Sequence, residues 1–217
     1  MPIGLQLSNI SKMYSSNSVI EDCSYNFIPG MVYAIMGPNG CGKSTLLRIC
    51  SLLESPSGGN IIYYSNENEL AHDMHLRRMM TLLLPDIGIF NTTVLKNIEY
   101  GLKVRNYSRK QMHDAAYEVL ELVGLTHKMN QNALLLSSGQ KRRLGIARAL
   151  VIKPQLLMLD EPTSAIDVEN TEIVEAAILR IKQERSSTII LSTHEKAQAV
   201  KLADKVLFME NRRLIET

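Results

Sequence analysis

The sequence predicts an α/β fold in which a mostly parallel sheet has helices on both sides and an antiparallel β region precedes it. The clearest observation is an alternation in the last third of the chain, where short apolar runs at 156–159, 188–192 and 206–209 are separated by helical patterns. A second observation is a glycine-rich turn that joins the apolar run 31–36 to a further helical pattern. Strands that alternate with helices pair in parallel, because each helix carries the chain back across the sheet.

The antiparallel region is predicted within residues 3–28. Apolar and polar residues alternate there in two stretches, 5–7 and 23–27, and such alternation is typical of half-buried strands. A Pro-Gly pair at 29–30 predicts a turn before the strand at 31–36.

Between the glycine-rich turn and residue 85 the pattern predicts one helix and two short strands. The helix has apolar residues at three- and four-residue spacing over 46–53, and a Pro/Ser/Gly-rich break at 55–59 follows it. The strands are predicted at 61–64 and 82–84. Residues 65–79 are polar, and the pattern there favours no element.

The character of the chain changes after residue 85, where helical patterns dominate. Ser108 and Gln111 have the spacing of a capping box, and apolar residues follow at helical spacing until Gly124. A second helical run covers 144–150. The sequence therefore predicts a single domain, 1–217, with a helical subdomain at 85–150 inserted into an α/β core that comprises 1–84, with the antiparallel region, and 151–217.

Composition limits the classes of function. The 217 residues include 45% hydrophobic residues, which is typical of a globular protein. Lys and Arg number 24 against 22 Asp and Glu, and a net charge of +2 gives no electrostatic case for nucleic acid as a partner. No apolar stretch is long enough to cross a bilayer, and no signal peptide is expected. Three cysteines without paired spacing predict reduced thiols in the cytosol.

The strongest functional motif is the glycine-rich turn, which has the pattern G-x-x-x-x-G-K-[ST] of a phosphate-binding loop. Glycine backbones curl so that successive N–H groups converge on one anion at the positive end of the next helix. Lys43 then places a charge on the β- and γ-phosphates, and Ser44 offers its hydroxyl to Mg²⁺. The alternative, an ordinary glycine turn, is disfavoured by the flanking strand and helix. The residues predicted to bind the nucleotide are Gly37, Pro38, Asn39, Gly40, Cys41, Gly42, Lys43, Ser44 and Thr45.

Further candidates follow apolar runs, at the strand ends where ligands bind in open α/β sheets. Asp160 ends a strand and is predicted to hold Mg²⁺, and Glu161 is placed to polarise a water near the γ-phosphate. The alternative is that the pair only begins a polar loop. His194 is a candidate donor to the γ-phosphate, although a lone histidine is more often structural. Tyr14 is a candidate for stacking on adenine, with simple packing as the alternative.

With these motifs in place, the chain resembles the nucleotide-binding subunit of ATP-binding cassette (ABC) transporters over essentially its whole length. The Walker A loop is the phosphate-binding loop, and Walker B is 156–160 followed by Glu161. The LSGGQ signature is matched by Leu136-Ser137-Ser138-Gly139-Gln140. Residues 164–167 resemble the D-loop, and 192–195 resemble the switch-histidine segment. The order and approximate spacing are those of the family.

The resemblance implies a P-loop NTPase fold and an ATPase that works as a head-to-tail dimer with ATP and Mg²⁺. In such a dimer Ser137, Ser138, Gly139 and Gln140 of one copy complete the ATP site of the other. Lys43 and His194 are then catalytic residues that act on the γ-phosphate, and Glu161 is the catalytic base. Ser44 and Asp160 hold the metal, and Tyr14 stacks on adenine.

Two positions depart from the family pattern. Pro85 stands where the family has a glutamine that meets Mg²⁺ and the attacking water, and proline has neither a side-chain acceptor nor a backbone N–H. We hypothesise that Asp86 or a water takes this role and that turnover is slow. Ser138 replaces the first signature glycine, which adds a Cβ where backbone and phosphate come close. We expect that site to work with a reduced margin.

The resemblance also implies partners. A chain without membrane spans is expected to dock on a separate integral membrane permease at the cytoplasmic face of the cell membrane, and a solute-binding protein would act through that permease. Residues 90–94 and 97–102 look similar to the corresponding segments of importer subunits for oxyanions such as tungstate or molybdate. The C-terminal regulatory domain of some importers is expected to be missing.

Two other classes of function stay open at this point. One is a non-transport ABC ATPase of the cell-division or iron–sulfur type, and the other is an ATP-dependent dimerisation switch with weak hydrolysis. For Cys41, the favoured interpretation is a small residue at a variable loop position, with a redox-sensitive thiol as the alternative.

Overall fold

Strands and helices follow one another along the chain in the order that an α/β fold requires. The computed structural model describes residues 1–66 and 68–216. The strands are β1 (Gly4–Tyr14), β2 (Asn17–Phe27), β3 (Val32–Met36), β4 (Gly58–Ser65), β5 (Asn68–Leu70), β6 (Met80–Leu83), β7 (Leu156–Asp160), β8 (Thr188–Ser192), β9 (Lys205–Glu210) and β10 (Arg213–Glu216). The helices are α1 (Lys43–Cys50), α2 (Met74–Met79), α3 (Val94–Lys103), α4 (Arg109–Leu122), α5 (Ser138–Leu150), α6 (Val168–Glu184) and α7 (Lys196–Leu202).

These elements belong to two compact units. The first unit comprises Met1–Leu82, Pro154–Glu161 and Ile181–Thr217. The second unit comprises Leu83–Lys153 and Pro162–Arg180. It contains the span 85–150 that the sequence analysis predicts as a helical insert, and it takes in a later segment as well. The division into a core and an inserted subdomain stays a prediction.

The N-terminal sheet is antiparallel, as predicted. Its strand order is β2-β1-β4-β5, and β1 pairs antiparallel with both β2 and β4. The pairing of β1 with β2 shifts register between Leu7 and Ile10 and again towards Met13, and such irregularities bend a strand and increase its twist. β1 ends at Tyr14, so this candidate residue lies at the end of a strand.

The second sheet is mostly parallel, which confirms the predicted fold class. Its strand order is β10-β9-β3-β8-β7-β6. β3 runs parallel to β8 and β9, β7 runs parallel to β8, and β10 pairs antiparallel with β9. Because β3, β7 and β8 point the same way, the segments that follow them begin at one edge of the sheet. The phosphate-binding loop, Glu161 and Thr193 are therefore neighbours in the fold.

The core of the first unit explains why its central strands are mostly apolar. All five residues of β3, of β7 and of β8 are buried, as expected for parallel strands covered on both faces. Tyr33 on β3 makes edge-on contacts with Tyr25 and Phe27, with ring centroids 5.9 and 4.9 Å away. Its hydroxyl accepts a hydrogen bond from the Ile28 N–H, so the polar end of the buried ring is satisfied.

The second unit is largely helical. α4 begins at the predicted capping box: the Ser108 hydroxyl accepts from the Gln111 N–H, and the Gln111 side chain accepts from the Ser108 N–H. α4 ends before Gly124, whose φ of 64° is in the left-handed region that favours glycine at a helix end. The nearby Val123 carbonyl accepts from the Arg143 guanidinium of α5 at 2.9 Å. This bond ties α4 to α5.

Residues 65–79, to which the sequence pattern gave no element, contain β5 and all of α2. β5 has three residues, and α2 has six. The Asp73 carboxylate caps α2 by accepting from the Leu76 N–H at 2.9 Å. Elements this short contain too few residues for a periodic pattern. Across 1–66 and 68–216, no helix has the length and apolarity to span a bilayer.

Candidate nucleotide-binding site

The phosphate-binding loop has the backbone that its glycines predict. Gly42 has a φ of 110° and precedes α1, and no side chain caps that helix end. A Cβ at Gly42 would lie 3.0 Å from the Val19 carbonyl oxygen, and one at Gly37 would lie 2.6 Å from the Met209 carbonyl oxygen. Side chains at these two positions would therefore strain or displace the loop. The first amides of α1 point out of the helix end, where they can bind an anion.

Lys43 is held inside the loop. Its side chain is 5% exposed, and its ammonium donates to the carbonyl oxygens of Gly37 at 2.8 Å and Pro38 at 3.0 Å. A buried ammonium is costly unless it is hydrogen-bonded, and these carbonyls meet that need. The positive charge therefore lies at the centre of the loop, where a phosphate group would contact it.

Tyr14 lies beside the loop, with 42% of its surface exposed. Its hydroxyl donates to Glu54 at 2.5 Å and also interacts with the Thr45 side chain at the end of the loop. The hydrogen bond to Glu54 is the main cause that raises the pKa of Tyr14, and partial burial adds to it. The Lys12 ammonium lies 5.1 Å from the ring centroid. The ring is thus fixed at its hydroxyl end, and part of its surface is open for stacking.

Asp160, at the end of β7, is almost fully buried at 1% exposure. Its Oδ1 accepts from the Ser192 hydroxyl at 2.6 Å, while its Oδ2 is buried with no hydrogen-bond partner among the described residues. A buried carboxylate oxygen without a donor is unfavourable, and carboxylate and hydroxyl oxygens are ligands that Mg²⁺ accepts. Asp160 therefore fits the role of a metal ligand.

Glu161 and His194 lie next to each other at the same sheet edge. The Glu161 N–H donates to the Ser192 hydroxyl at 2.9 Å, and Glu161 has a φ of 46°. Its Oε1 lies 3.6 Å from Nδ1 of His194, whose side chain is 53% exposed. The structure therefore brings Asp160, Glu161 and His194 together around Ser192, in the unit that holds the phosphate-binding loop.

The signature segment lies in the second unit, at the beginning of α5. Ser137 is the N-cap: its hydroxyl accepts from the Gln140 N–H at 3.3 Å, and Gln140 Oε1 accepts from the Ser137 N–H at 3.1 Å. Ser138 is the first residue of the helix and is exposed. A Cβ at Gly139 would lie 2.4 Å from the Asn170 side chain. The second glycine of the motif is therefore required by packing, whereas the first position has room for a serine side chain.

Pro85 and Asp86, at the first departure from the family pattern, lie in the segment after β6. They line a small cavity of about 230 Å³ in the second unit together with Ser138 and Ser164. In this unit the two departures, Pro85 and Ser138, are therefore close to each other.

Sequence reasoning assigned no role to two residues that the site depends on. Ser192 holds both Asp160 and Glu161, and its position at the end of the apolar run 188–192 was the available signal. Glu54 fixes the Tyr14 hydroxyl from 40 positions away in the sequence. No local pattern could have pointed to that contact.

A phosphate-binding loop, a buried strand-end aspartate and a signature segment at the beginning of α5 together define an ATP-binding cassette, a class of ATPase domain. The family model described as "ABC transporter" matches residues 20–164. The chain belongs to the ABC transporter family, as its sequence motifs suggested. Its similarity to known members supports the same assignment.

Two curated relatives and one solved structure illustrate the similarity. The methionine import ATP-binding protein MetN 1 of Acinetobacter baylyi is 36% identical over 98% of this chain, which spans 62% of that relative's length. The tungstate uptake system ATP-binding protein TupC of Peptoclostridium acidaminophilum is 33% identical, and the match covers 98% of this chain and 97% of that protein. The ATP-binding cassette MJ0796, solved as a dimer in a post-hydrolysis state bound to ADP and Pi, matches with a TM-score of 0.86 at 26% identity over 98% of this chain and 97% of its own.

Proposed function

We propose that two copies of this chain bind two ATP molecules head to tail, hydrolyse them and thereby drive transport through a separate membrane permease. The observation that carries the ATPase part is the buried Oδ2 of Asp160, which has no hydrogen-bond partner in the described part of the chain and lies at the same sheet edge as the Lys43 loop. The dimer is supported by MJ0796, which is similar over nearly its whole length and is described as dimeric.

Each candidate site residue of the first unit has one role in this proposal. Lys43 and the amides at the start of α1 bind the β- and γ-phosphates, and the Tyr14 ring stacks on adenine. Ser44 and Asp160 hold Mg²⁺, which when bound neutralises charge on the phosphate oxygens. The Glu161 carboxylate accepts a proton from the attacking water, and the bond from its N–H to Ser192 fixes its position at the strand end. His194, beside Glu161, donates to the γ-phosphate.

The signature segment of one copy is proposed to bind the γ-phosphate held by the other. The Ser137 hydroxyl accepts one hydrogen bond within its own capping box, which leaves its proton free to be donated. The N–H groups of Ser138 and Gly139 lie in the first turn of α5, where backbone N–H groups have no helical acceptor. The exposed position of Ser138 explains how a serine is accepted here in place of glycine.

The test of this function compares wild type with Glu161→Gln. Wild type is expected to hydrolyse MgATP, and the variant is expected to lose most of this activity, because removal of a general base costs about 10²–10⁴-fold in rate. The variant with MgATP is also expected to elute as a dimer in size-exclusion chromatography with light scattering. Equal hydrolysis rates for the two proteins, or a strictly monomeric variant with any membrane partner supplied, would contradict the proposal.

The permease is proposed to dock on the second unit, in a cavity of about 660 Å³ bordered by exposed aromatic residues. Phe90 and Tyr100 are 40% and 51% exposed, with ring centroids 4.7 Å apart. Glu99 is the one acidic residue among those that line the cavity. We infer that the permease presents a segment with an apolar anchor and carboxylates. The basic residues that line this docking groove are Lys96, Lys103, Arg109 and His113.

The docking proposal is tested with tagged chains and detergent-solubilised membranes of the source cells. Wild type is expected to retain a multi-span membrane protein, identified by mass spectrometry, and Arg109→Glu is expected to lose it. Lys110→Glu is the matched control, because Lys110 is exposed on the same helix and does not line the groove. Equal retention by both variants would place the docking surface elsewhere.

We further propose that the transporter is an importer, acting at the cytoplasmic face of the membrane with a solute-binding protein on the other side. This proposal is supported by the relatives, which are named as import or uptake proteins. The finer proposal of an oxyanion cargo is supported by the tungstate relative at 33% identity, and the methionine relative, at 36%, supports an amino-acid cargo. Uptake of tungstate, molybdate and methionine by cells with and without the gene would decide among these solutes.

A further inference from the structure

The segment that joins β6 to α3 is held against one face of α5 at three points. Arg142 Nη1 donates to the Leu84 carbonyl oxygen at 3.4 Å. Ile87 packs against Gly145 so closely that a Cβ at Gly145 would lie 2.4 Å from its side chain. Arg148 Nη1 donates to the Gly88 carbonyl oxygen. Residues three apart on a helix lie on one face, so these contacts form a continuous line along α5.

Arg142 is buried and Arg148 is partly buried. Arg142 is 6% exposed, and burial lowers the pKa of the Arg148 guanidinium. Arg148 also lies over the Phe90 ring, with its Cζ 4.9 Å from the ring centroid. Hydrogen bonds from a charged donor are stronger than neutral ones, and they cost more to break when the donor is buried. The segment is therefore anchored firmly to the helix.

The two ends of this line of contacts lead to different functional surfaces. Phe90, held by Arg148, lines the docking groove. Arg142 lies two residues after Gln140 of the signature segment, and its Nη2 donates to the Ser164 hydroxyl at 2.9 Å. α5 therefore begins in the signature segment, and its side chains contact both Phe90 of the docking groove and the loop that begins at Ser164.

We propose that Arg142 and Arg148 are positioning residues that fasten segment 84–88 to α5, so that the docking groove and the signature segment respond together when ATP binds. The link uses backbone carbonyl oxygens of the segment, and so it does not depend on the side chain at position 85, where this chain has a proline. The inference rests on the proposed ATP-driven dimer, and it adds a route by which the dimer and the permease affect each other.

Hydrogen–deuterium exchange on the full chain tests this link. All samples carry Glu161→Gln, and exchange is measured with and without MgATP. In that background MgATP is expected to slow amide exchange by roughly tenfold both in a peptide covering the start of α5 and in one covering 86–92. With Arg142→Gln and Arg148→Gln added, we expect the slowing to persist at α5 and to fall below about twofold at 86–92.

Arg143→Gln is the matched control. Arg143 is a buried arginine of the same helix, but it donates to the Val123 and Gly124 carbonyl oxygens at the other side. We expect this variant to lower the melting temperature and to keep the slowing in both peptides. If Arg142 and Arg148 had a purely structural role, Arg143→Gln would reduce the slowing at 86–92 as much as the double variant does.

The outcomes separate the inference from the function on which it rests. No slowing at α5 in the background protein would contradict the dimer itself. Slowing in both peptides of the double variant would overturn the link alone. If the double variant does not fold, Gly145→Ala serves instead, because its Cβ displaces Ile87 while leaving both arginines in place. It is expected to reduce the slowing at 86–92, and full retention there would overturn the proposal.

Discussion

At the residue scale, the candidate site depends on a hydroxyl group that sequence motifs do not emphasise. The Ser192 hydroxyl donates to Asp160 Oδ1 and accepts from the Glu161 N–H. A hydroxyl has one proton to donate and two lone pairs, so one side chain fixes the proposed metal ligand and the proposed base together. The end of β8 therefore holds the Asp160 carboxylate and the Glu161 backbone at one point.

Ser192→Ala is expected to lower the free energy of unfolding by about 1–3 kcal/mol, because it leaves a buried acceptor and a backbone donor without a partner. The ATPase rate is expected to fall as well, since Glu161 and Asp160 lose their common support. Chemical denaturation and steady-state hydrolysis measure the two effects. Ser24→Ala removes a hydroxyl that accepts from the exposed Asn9 N–H. It should change neither quantity appreciably, and a similar loss in this control would argue against a special role for Ser192.

Pro85→Gln tests the hypothesis that turnover is slow because the family's glutamine is missing. The restored side chain can position the attacking water, and we expect the hydrolysis rate to rise by roughly tenfold, a modest effect for a positioning group. The affinity for ATP should stay the same, because the restored side chain is expected to act on the attacking water during hydrolysis. A rate equal to wild type would contradict the hypothesis that the missing glutamine slows turnover.

At the element scale, Asp204 fixes the beginning of β3, the strand that leads to the phosphate-binding loop. Its carboxylate accepts from the Val32 N–H at 2.9 Å and from the Lys182 ammonium at 2.8 Å. Burial acts to raise the pKa of Asp204, and the bonds from Lys182 and Val32 outweigh it, so the pKa lies below its ordinary value of 3.8. A pKa lowered by folding means that the ionised form stabilises the fold.

This sign predicts a pH dependence. The contribution of Asp204 is fully present above pH 3.8 and is lost as the pH falls through the lower pKa of the folded state. Asp204→Asn is expected to lose about 1–3 kcal/mol of unfolding free energy at neutral pH. The gap between variant and wild type should narrow in strong acid, as urea unfolding at several pH values would show. Asp114→Asn, at an exposed position of α4, should show no such trend.

The elements that the sequence predicted are those with a strong local signal. α4 has a capping box and a long apolar face, and the central strands β7 and β8 are mostly apolar because both faces are covered. β5 and α2 are too short for a periodic pattern. β10, which the sequence analysis did not assign, is an edge strand with one buried residue among four.

The candidate site also has one part that the sequence predicts and one part that it does not. The Lys43 loop could be located from its spacing, because backbone geometry requires glycine at fixed positions. The support of Tyr14 by Glu54 and the bond from Arg142 to Leu84 could not, because these contacts join residues 40 and 58 positions apart. Such contacts depend on how the elements pack, which a local pattern does not encode.

At the scale of the whole molecule, the loop, the strand-end acids and Tyr14 lie in the first unit, and the signature segment and docking groove lie in the second. A ligand that binds only the folded chain stabilises it by mass action. Nucleotide binding should therefore be visible as a change in the stability of the protein, independently of hydrolysis and of any permease.

MgATP at about one hundred times its dissociation constant is expected to stabilise the chain by about 2.7 kcal/mol. For a chain of this size that corresponds to a rise in melting temperature of roughly 5–10 °C. Lys43→Ala should abolish the rise, and Lys153→Ala, at an exposed position in the second unit, should retain it. Differential scanning fluorimetry measures all three proteins. If MgATP raised the melting temperature of Lys43→Ala as much as that of wild type, this would contradict nucleotide binding by the loop.

The internal bonds of Lys43 affect how its variants should be interpreted. Its ammonium cross-links the backbone of its own turn through the Gly37 and Pro38 carbonyl oxygens. A neutral residue at position 43 therefore has two effects. It removes a positive charge that would bind the triphosphate, and it removes the two hydrogen bonds that hold the backbone of the loop. A comparison of backbone amide spectra of Lys43→Ala and wild type, both without nucleotide, separates these two defects.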